Sequence, residues 1–160
     1  MAKILSSAGE RLKILSKYRN IAMVGLSSNP YRPSHFAAIY LLAEGYTIIP
    51  VNPRESEILG RKCYPTLTAT AMDFPIHVVD VFRASKDVPP IADEAIAIGA
   101  SVLWLQLTVI NNAAAEKAMA AGLDVVQDRC MKIEHARFFG GLNLIGLNTG
   151  VISARPIRRN

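Results

Sequence analysis

Between Gly25 and Ser34 the chain reads GLSSNPYRPS, placing three serines and an arginine on one short loop after an apolar run. Side chains of this kind can hold an anion. Ser34 stands where a helical pattern begins and is read as that helix's cap, which would leave the preceding amides facing outward at the positive end of the helix dipole. A phosphate is the usual guest at such a place. Ser27, Ser28 and Ser34 could equally just close a turn and cap a helix; Arg32 on the same loop favours the phosphate-binding loop.

More cations follow at matching positions. The next apolar run ends in Asn52, Pro53 and Arg54, with Arg61 and Lys62 shortly after. A third runs into Phe82-Arg83, a fourth into Gln106, and a fifth into Asp128-Arg129-Cys130. Residues 21–154 carry ten basic groups and a net charge of −2, yet six of the ten fall just after these runs. Ends of parallel strands are where open α/β sheets bind ligands, so the edge is expected to take a polyanion. An NAD site would want G-x-G-x-x-G after the first strand and an acid closing the second. Here Gly25 stands alone, Asn52 occupies the acid's place, and Glu55 follows a proline and an arginine. Arg54, Arg61 and Lys62 suit a nucleotide with an additional ribose phosphate.

The elements that must position these residues repeat one pattern. LLAEGYTIIPV, AIAIGASVLWLQL and AMAAGLDVVQD each place a glycine between a helical run and an apolar strand. Glycine there closes a helix in the left-handed conformation. The strands are nearly continuously apolar, as in a parallel sheet covered on both faces. The pattern predicts helices over 4–17, 34–44, 86–98, 112–121 and 131–138. It predicts strands over 21–25, 46–51, 76–81, 101–106 and 124–127, with a turn-rich connection over 52–67. The fold class is α/β: a Rossmann-like, doubly wound, parallel five-stranded sheet with helices on both faces. Residues 1–138 form one domain, and 139–160 a glycine-containing tail.

Charge and cysteines exclude other classes. The net charge of +5 comes from the two ends, +4 in residues 1–20 and +3 in 155–160, which argues against a nucleic-acid protein. Cys63 and Cys130, in a chain whose start has no apolar signal region, suit free thiols in the cytoplasm. The apolar stretch 95–110 is too short and too polar for a membrane span. His35, His77 and His135 have no metal-ligand spacing, and no Ser–His–acid set is visible. Each histidine is read as packing or surface, with a site role kept open for His135. Cys63 is read as structural and Trp104 as core.

Taken together, V-G-x-S-x-x-P-x-R-P-S, I-P-V-N-P, I-L-G-R-K-C-Y-P-T-L, V-D-V-F-R, W-L-Q-L and D-R-C-x-K-I-E-H-A-R resemble the stand-alone coenzyme A-binding proteins. That family looks like the CoA-binding domain of the succinyl-CoA synthetase alpha subunit cut free from its partner domain. The likeness runs from about residue 12 to 138. It implies coenzyme A, or an acyl-CoA, at the strand ends. Gly25, Ser27, Arg32 and Ser34 would hold the pyrophosphate. Asn52, Pro53 and a base among Arg54, Arg61 and Lys62 would face the adenosine and its 3′-phosphate. Val81, Phe82 and Arg83 would line the ligand.

The expected function is CoA binding without catalysis by this chain alone, beside an acyl-CoA enzyme as partner. Two alternatives stay open: a ligase or transferase component, or a thiol-redox protein acting through Cys130. An NAD(P)-binding Rossmann domain is the third. Arg129 and the following helix start would lower the Cys130 pKa and favour a mixed disulfide with CoA, although a small buried cysteine is the simpler reading. The tail is read as lying along the body, in preference to an arm that wraps a second subunit of a homodimer.

Overall fold

The computed structural model describes residues 7–139; the tail expectation therefore lies outside the described residues, apart from Phe139. Strands β1 (Asn20–Val24), β2 (Thr47–Val51), β5 (Val78–Val81), β6 (Val102–Leu105) and β7 (Asp124–Val126) form one parallel sheet in the order β2-β1-β5-β6-β7. The chain leaves β1 toward β2 and returns to the other side of β1 with β5, so the order reverses there. Valine, isoleucine and leucine dominate these strands because both faces are covered.

Helices α3 (Leu67–Thr70), α4 (Val88–Ala97) and α5 (Asn112–Ala120) cover one face, where Ala92, Ala95, Ala115 and Ala118 pack on Val79, Leu103 and Val125. Helices α1 (Ala8–Lys17), α2 (Pro33–Ala43) and α6 (Met131–Phe139) cover the other, where Leu15, Ala38, Leu41 and Met131 pack on Ile21, Met23 and Trp104. On the first face, the alanines of α4 and α5 let backbone approach sheet closely while the strands supply large side chains; on the second, helices and strands both supply them. The three helix–glycine–strand units close as read, with Gly45, Gly99 and Gly122 at φ of 91°, 73° and 99°.

Three details differ from the sequence expectation. Helix α1 begins at Ala8, because Ser7 accepts the Glu10 amide (3.2 Å) and donates to the Glu10 carboxylate (2.7 Å), a reciprocal cap that fixes the start. The connection over 52–67 contains an antiparallel hairpin of β3 (Glu57–Ile58) and β4 (Arg61–Lys62) and leads into α3. Strands of two residues are too short to show a period. Helix α1 also turns Arg11 inward, 4% exposed, onto Glu134 of α6 at 2.9 Å, so its basic character is not confined to its surface.

Candidate functional site

Gly25 is the pivot of the carboxyl edge. Its amide donates to Val51 O (2.9 Å), and the neighbouring Phe82 amide donates to Val24 O (2.8 Å), tying the ends of β2, β1 and β5 together. Gly25 has φ +88°, and a Cβ there would lie 2.6 Å from Phe82 O. Both the backbone conformation and the close approach of β5 demand glycine.

The loop after Gly25 is organised mainly by its own polar groups. Ser34 is buried and accepts the Ser27 amide (3.1 Å), while Ser27 Oγ accepts the Asn29 amide (3.1 Å) and Ser27 O accepts from His35 Nδ1 (2.8 Å). Ser34 is therefore not the helix cap. Arg32 takes that position with Pro33 as the first helical residue, whose fixed φ starts the helix one residue sooner. Ser28 donates to Glu55 (2.6 Å). Arg32 stays exposed at the mouth of α2. Asn52 spans the loop: its Nδ2 donates to Leu26 O (3.0 Å) and its Oδ1 accepts the Arg54 amide (2.9 Å). Both ends of this side chain serve the fold of the edge.

A cavity of about 330 Å³ opens beside Gly25, at the reversal point of the sheet. Val24, Val51, Leu67 and Ile91 make apolar walls, Pro53 stands at the rim, and Arg83, Lys86, Asp87 and Glu94 supply the polar groups. Arg83 reaches Asp87 at 3.4 Å, and Glu94 is held by the Thr68 amide (3.2 Å) and hydroxyl (2.8 Å). Sequence reasoning missed Lys86, Asp87 and Glu94, which reach the edge through the 3₁₀ turn Ser85–Asp87 and the face of α4. A cation three residues beyond Arg83 was the available signal.

The other expected site residues separate. Arg54 and Arg61 are exposed outside the cavity lining. Lys62 lies 3.5 Å from Asp73 and over the Tyr64 ring at 4.8 Å; Asp73 also accepts the Tyr64 hydroxyl, whose pKa is pushed up to about 12 by that bond. Val81 is in the core beneath the edge, and Phe82 is half-buried. Gln106 is buried too, donating to Asp80, so Val81 and Gln106 support the floor. Cys130 is half-buried at the start of α6; burial, first, and the Asp80 charge push its thiol pKa up, against the lowering expected from Arg129 and the helix start. Burial likewise raises Cys63. His135 meets the Tyr40 hydroxyl at 2.9 Å and packs against the Tyr46 and Phe139 rings, away from the strand ends that form the cavity.

A family model described as a CoA binding domain matches residues 19–136. The chain belongs to this CoA binding domain family. It is 39% identical over 130 residues to the uncharacterized protein YneT of Bacillus subtilis (strain 168), covering 81% of this chain and 95% of that one. A solved structure of a hypothetical protein from Pyrococcus horikoshii OT3 is 41% identical with a TM-score of 0.80, covering 84% of this chain and 93% of that chain. The dinucleotide-forming acetyl-coenzyme A synthetase 1 of Ca. Korarchaeum cryptofilum, at 22% identity and TM-score 0.62, shares the fold over 71% of this chain and 27% of its own. Among the described residues no helix is long and apolar enough to cross a membrane, and no group of three or more His, Cys, Asp and Glu side chains could hold a metal ion.

Proposed function

We propose that the carboxyl edge binds coenzyme A or an acyl-CoA. The observation that carries this is the cavity at the reversal point, beside Gly25 and walled by apolar strand ends and by the starts of α3 and α4. At about 330 Å³ it suits one end of a long ligand, the adenosine. Arg83 and Lys86 then face its 3′-phosphate, replacing the Arg54, Arg61 and Lys62 group favoured by sequence. The pyrophosphate crosses to Arg32 and Ser28 at the mouth of α2, and the pantetheine follows the ends of β5 and β6. Family membership supports the ligand class. The use of Asn52 as a loop clamp, with no acid at the end of β2, weighs against the ribose grip of an NAD site. The protein is a binding module that works beside an enzyme of acyl-CoA metabolism, in the reducing cytoplasm that its free thiols suit.

Thermal denaturation with CoA, dephospho-CoA and NADP tests the reading. A ligand at about a hundred times its Kd adds about 2.7 kcal/mol, which raises Tm by about 5–10 °C for a chain of this size. CoA is expected to reach that shift and dephospho-CoA to fall clearly short. Stabilisation by NADP alone would overturn it.

A further inference from the structure

The cavity beside Gly25 changes character along its length. Asp87, at the cap of α4, and Pro90, Ile91 and Glu94 within the helix all line it, and spacings of three and four put them on one face. This stripe runs down from the carboxyl edge for two turns, about 10 Å at 1.5 Å per residue. Arg83, Lys86 and Asp87 lie at the edge, Pro90 and Ile91 follow, and Glu94 stands at the inner end. Pro65 and Leu67 bring further apolar surface from the start of α3.

A carboxylate at that depth is out of keeping with a cavity that takes an anion at its mouth. The fold uses only one of its oxygens. Oε1 accepts both the Thr68 amide (3.2 Å) and the Thr68 hydroxyl (2.8 Å), which ties α4 to α3 and fixes the orientation of the carboxyl group. Oε2 has no hydrogen-bond partner among the described residues, and Glu94 makes no ion pair among them. Asp87, by contrast, is already paired with Arg83. Glu94 is half-buried, so a donor inside the cavity meets Oε2 with less competition from water than at the rim.

We propose that Glu94 selects the base of the bound nucleotide, its Oε2 accepting a hydrogen bond from the 6-amino group of adenine. This rests on the CoA-binding reading, which sets the 3′-phosphate against Arg83 and Lys86. With the phosphate there, the base points down the stripe. The length of the stripe, about 10 Å, matches the separation of the 3′-phosphate from the 6-amino group in an adenosine 3′-phosphate. Pro65, Leu67, Pro90 and Ile91 supply the apolar surface that a flat heterocycle needs. A carboxylate offers only acceptors. It therefore takes a proton donor such as the 6-amino group of adenine. It opposes the 6-oxo group of hypoxanthine or guanine, where two acceptors would meet.

Calorimetry with CoA and with its hypoxanthine analogue, in which an oxo group replaces the 6-amino group, tests the assignment. The wild type should bind CoA about ten to a hundred times more tightly than the analogue. Glu94→Gln should reverse the order. The two Thr68 donors hold the oxygen of the new amide at the place of Oε1, so its NH2 stands at the place of Oε2 and donates to the oxo group. A side chain that only ties α4 to α3 would weaken both ligands alike and leave their ratio unchanged. Glu94→Asp, one methylene shorter, should lose most of the preference without reversing it, and thermal denaturation checks that each variant is folded. Equal affinity of the wild type for the two ligands, or an unchanged preference for CoA in either folded variant, overturns the proposal while CoA binding stands. No binding of CoA to the wild type in the same titrations sinks the reading beneath it.

Discussion

Replacing Asp80 with Asn should change how stability responds to pH. Burial raises the folded-state pKa of Asp80 from 3.8 to about 7, with the Gln106 hydrogen bond opposing the shift. The unfolded chain releases this proton near pH 4, but the folded protein keeps it until about pH 7. Between those values the folded state binds more protons, so stability falls as pH rises, and the loss is complete about a unit above the folded pKa. One proton corresponds to about 1.4 kcal/mol per pH unit, the slope halving at the folded pKa, or about 2.7 kcal/mol between pH 5 and 8.5. The Asp80→Asn side chain keeps the acceptor for Gln106 but places an amide where Oδ2 stood, at a constant cost of about 1–3 kcal/mol. The variant's disadvantage against the wild type should therefore shrink with pH by about 2.7 kcal/mol. Urea unfolding of both proteins at several pH values from 5 to 8.5, followed through buried Trp104, measures this. Titrations common to both proteins cancel in the difference. A stability difference constant to within about 0.5 kcal/mol across that range would refute the reasoning.

Four further outcomes follow from the same geometry. Gly25→Ala forces a side chain into a left-handed conformation and against Phe82 O, and should cost about 3 kcal/mol in urea unfolding while abolishing CoA binding by calorimetry. Arg32→Ala removes an exposed guanidinium; calorimetry should show CoA affinity down by about tenfold with Tm nearly unchanged, and unchanged affinity would remove Arg32 from the site. Lys86→Ala should narrow the affinity gap between CoA and dephospho-CoA, measured by parallel titrations, without equalising unrelated nucleotides. Arg11→Ala takes the guanidinium from a buried Glu134 carboxylate and should lower unfolding free energy by about 3–5 kcal/mol, far more than loss of a surface cation.

Much of the frame was legible in the chain itself. Glycines after helical runs and unbroken apolar strands specify a parallel sheet because they are local signals, requiring only backbone conformation and burial on both faces. The concentration of cations after the strands was legible for the same reason: in a parallel sheet every strand ends on one edge. Asn52 in place of an acid was likewise readable, since its position in the strand is set by spacing.

What only the tertiary structure decided is how those residues divide their work. Ser34 and Asn52 look like ligand contacts in sequence, but packing turns both toward the loop, because buried polar groups must find partners. Lys86 and Glu94 reach the cavity through the placement of α4 against the ends of β1 and β2, a long-range relation that spacing does not encode. Asp80 and Cys130 stand fifty residues apart in the chain. Burial raises the pKa of each, by an amount set by how closely the helices on the two faces cover them, which spacing in the chain does not encode.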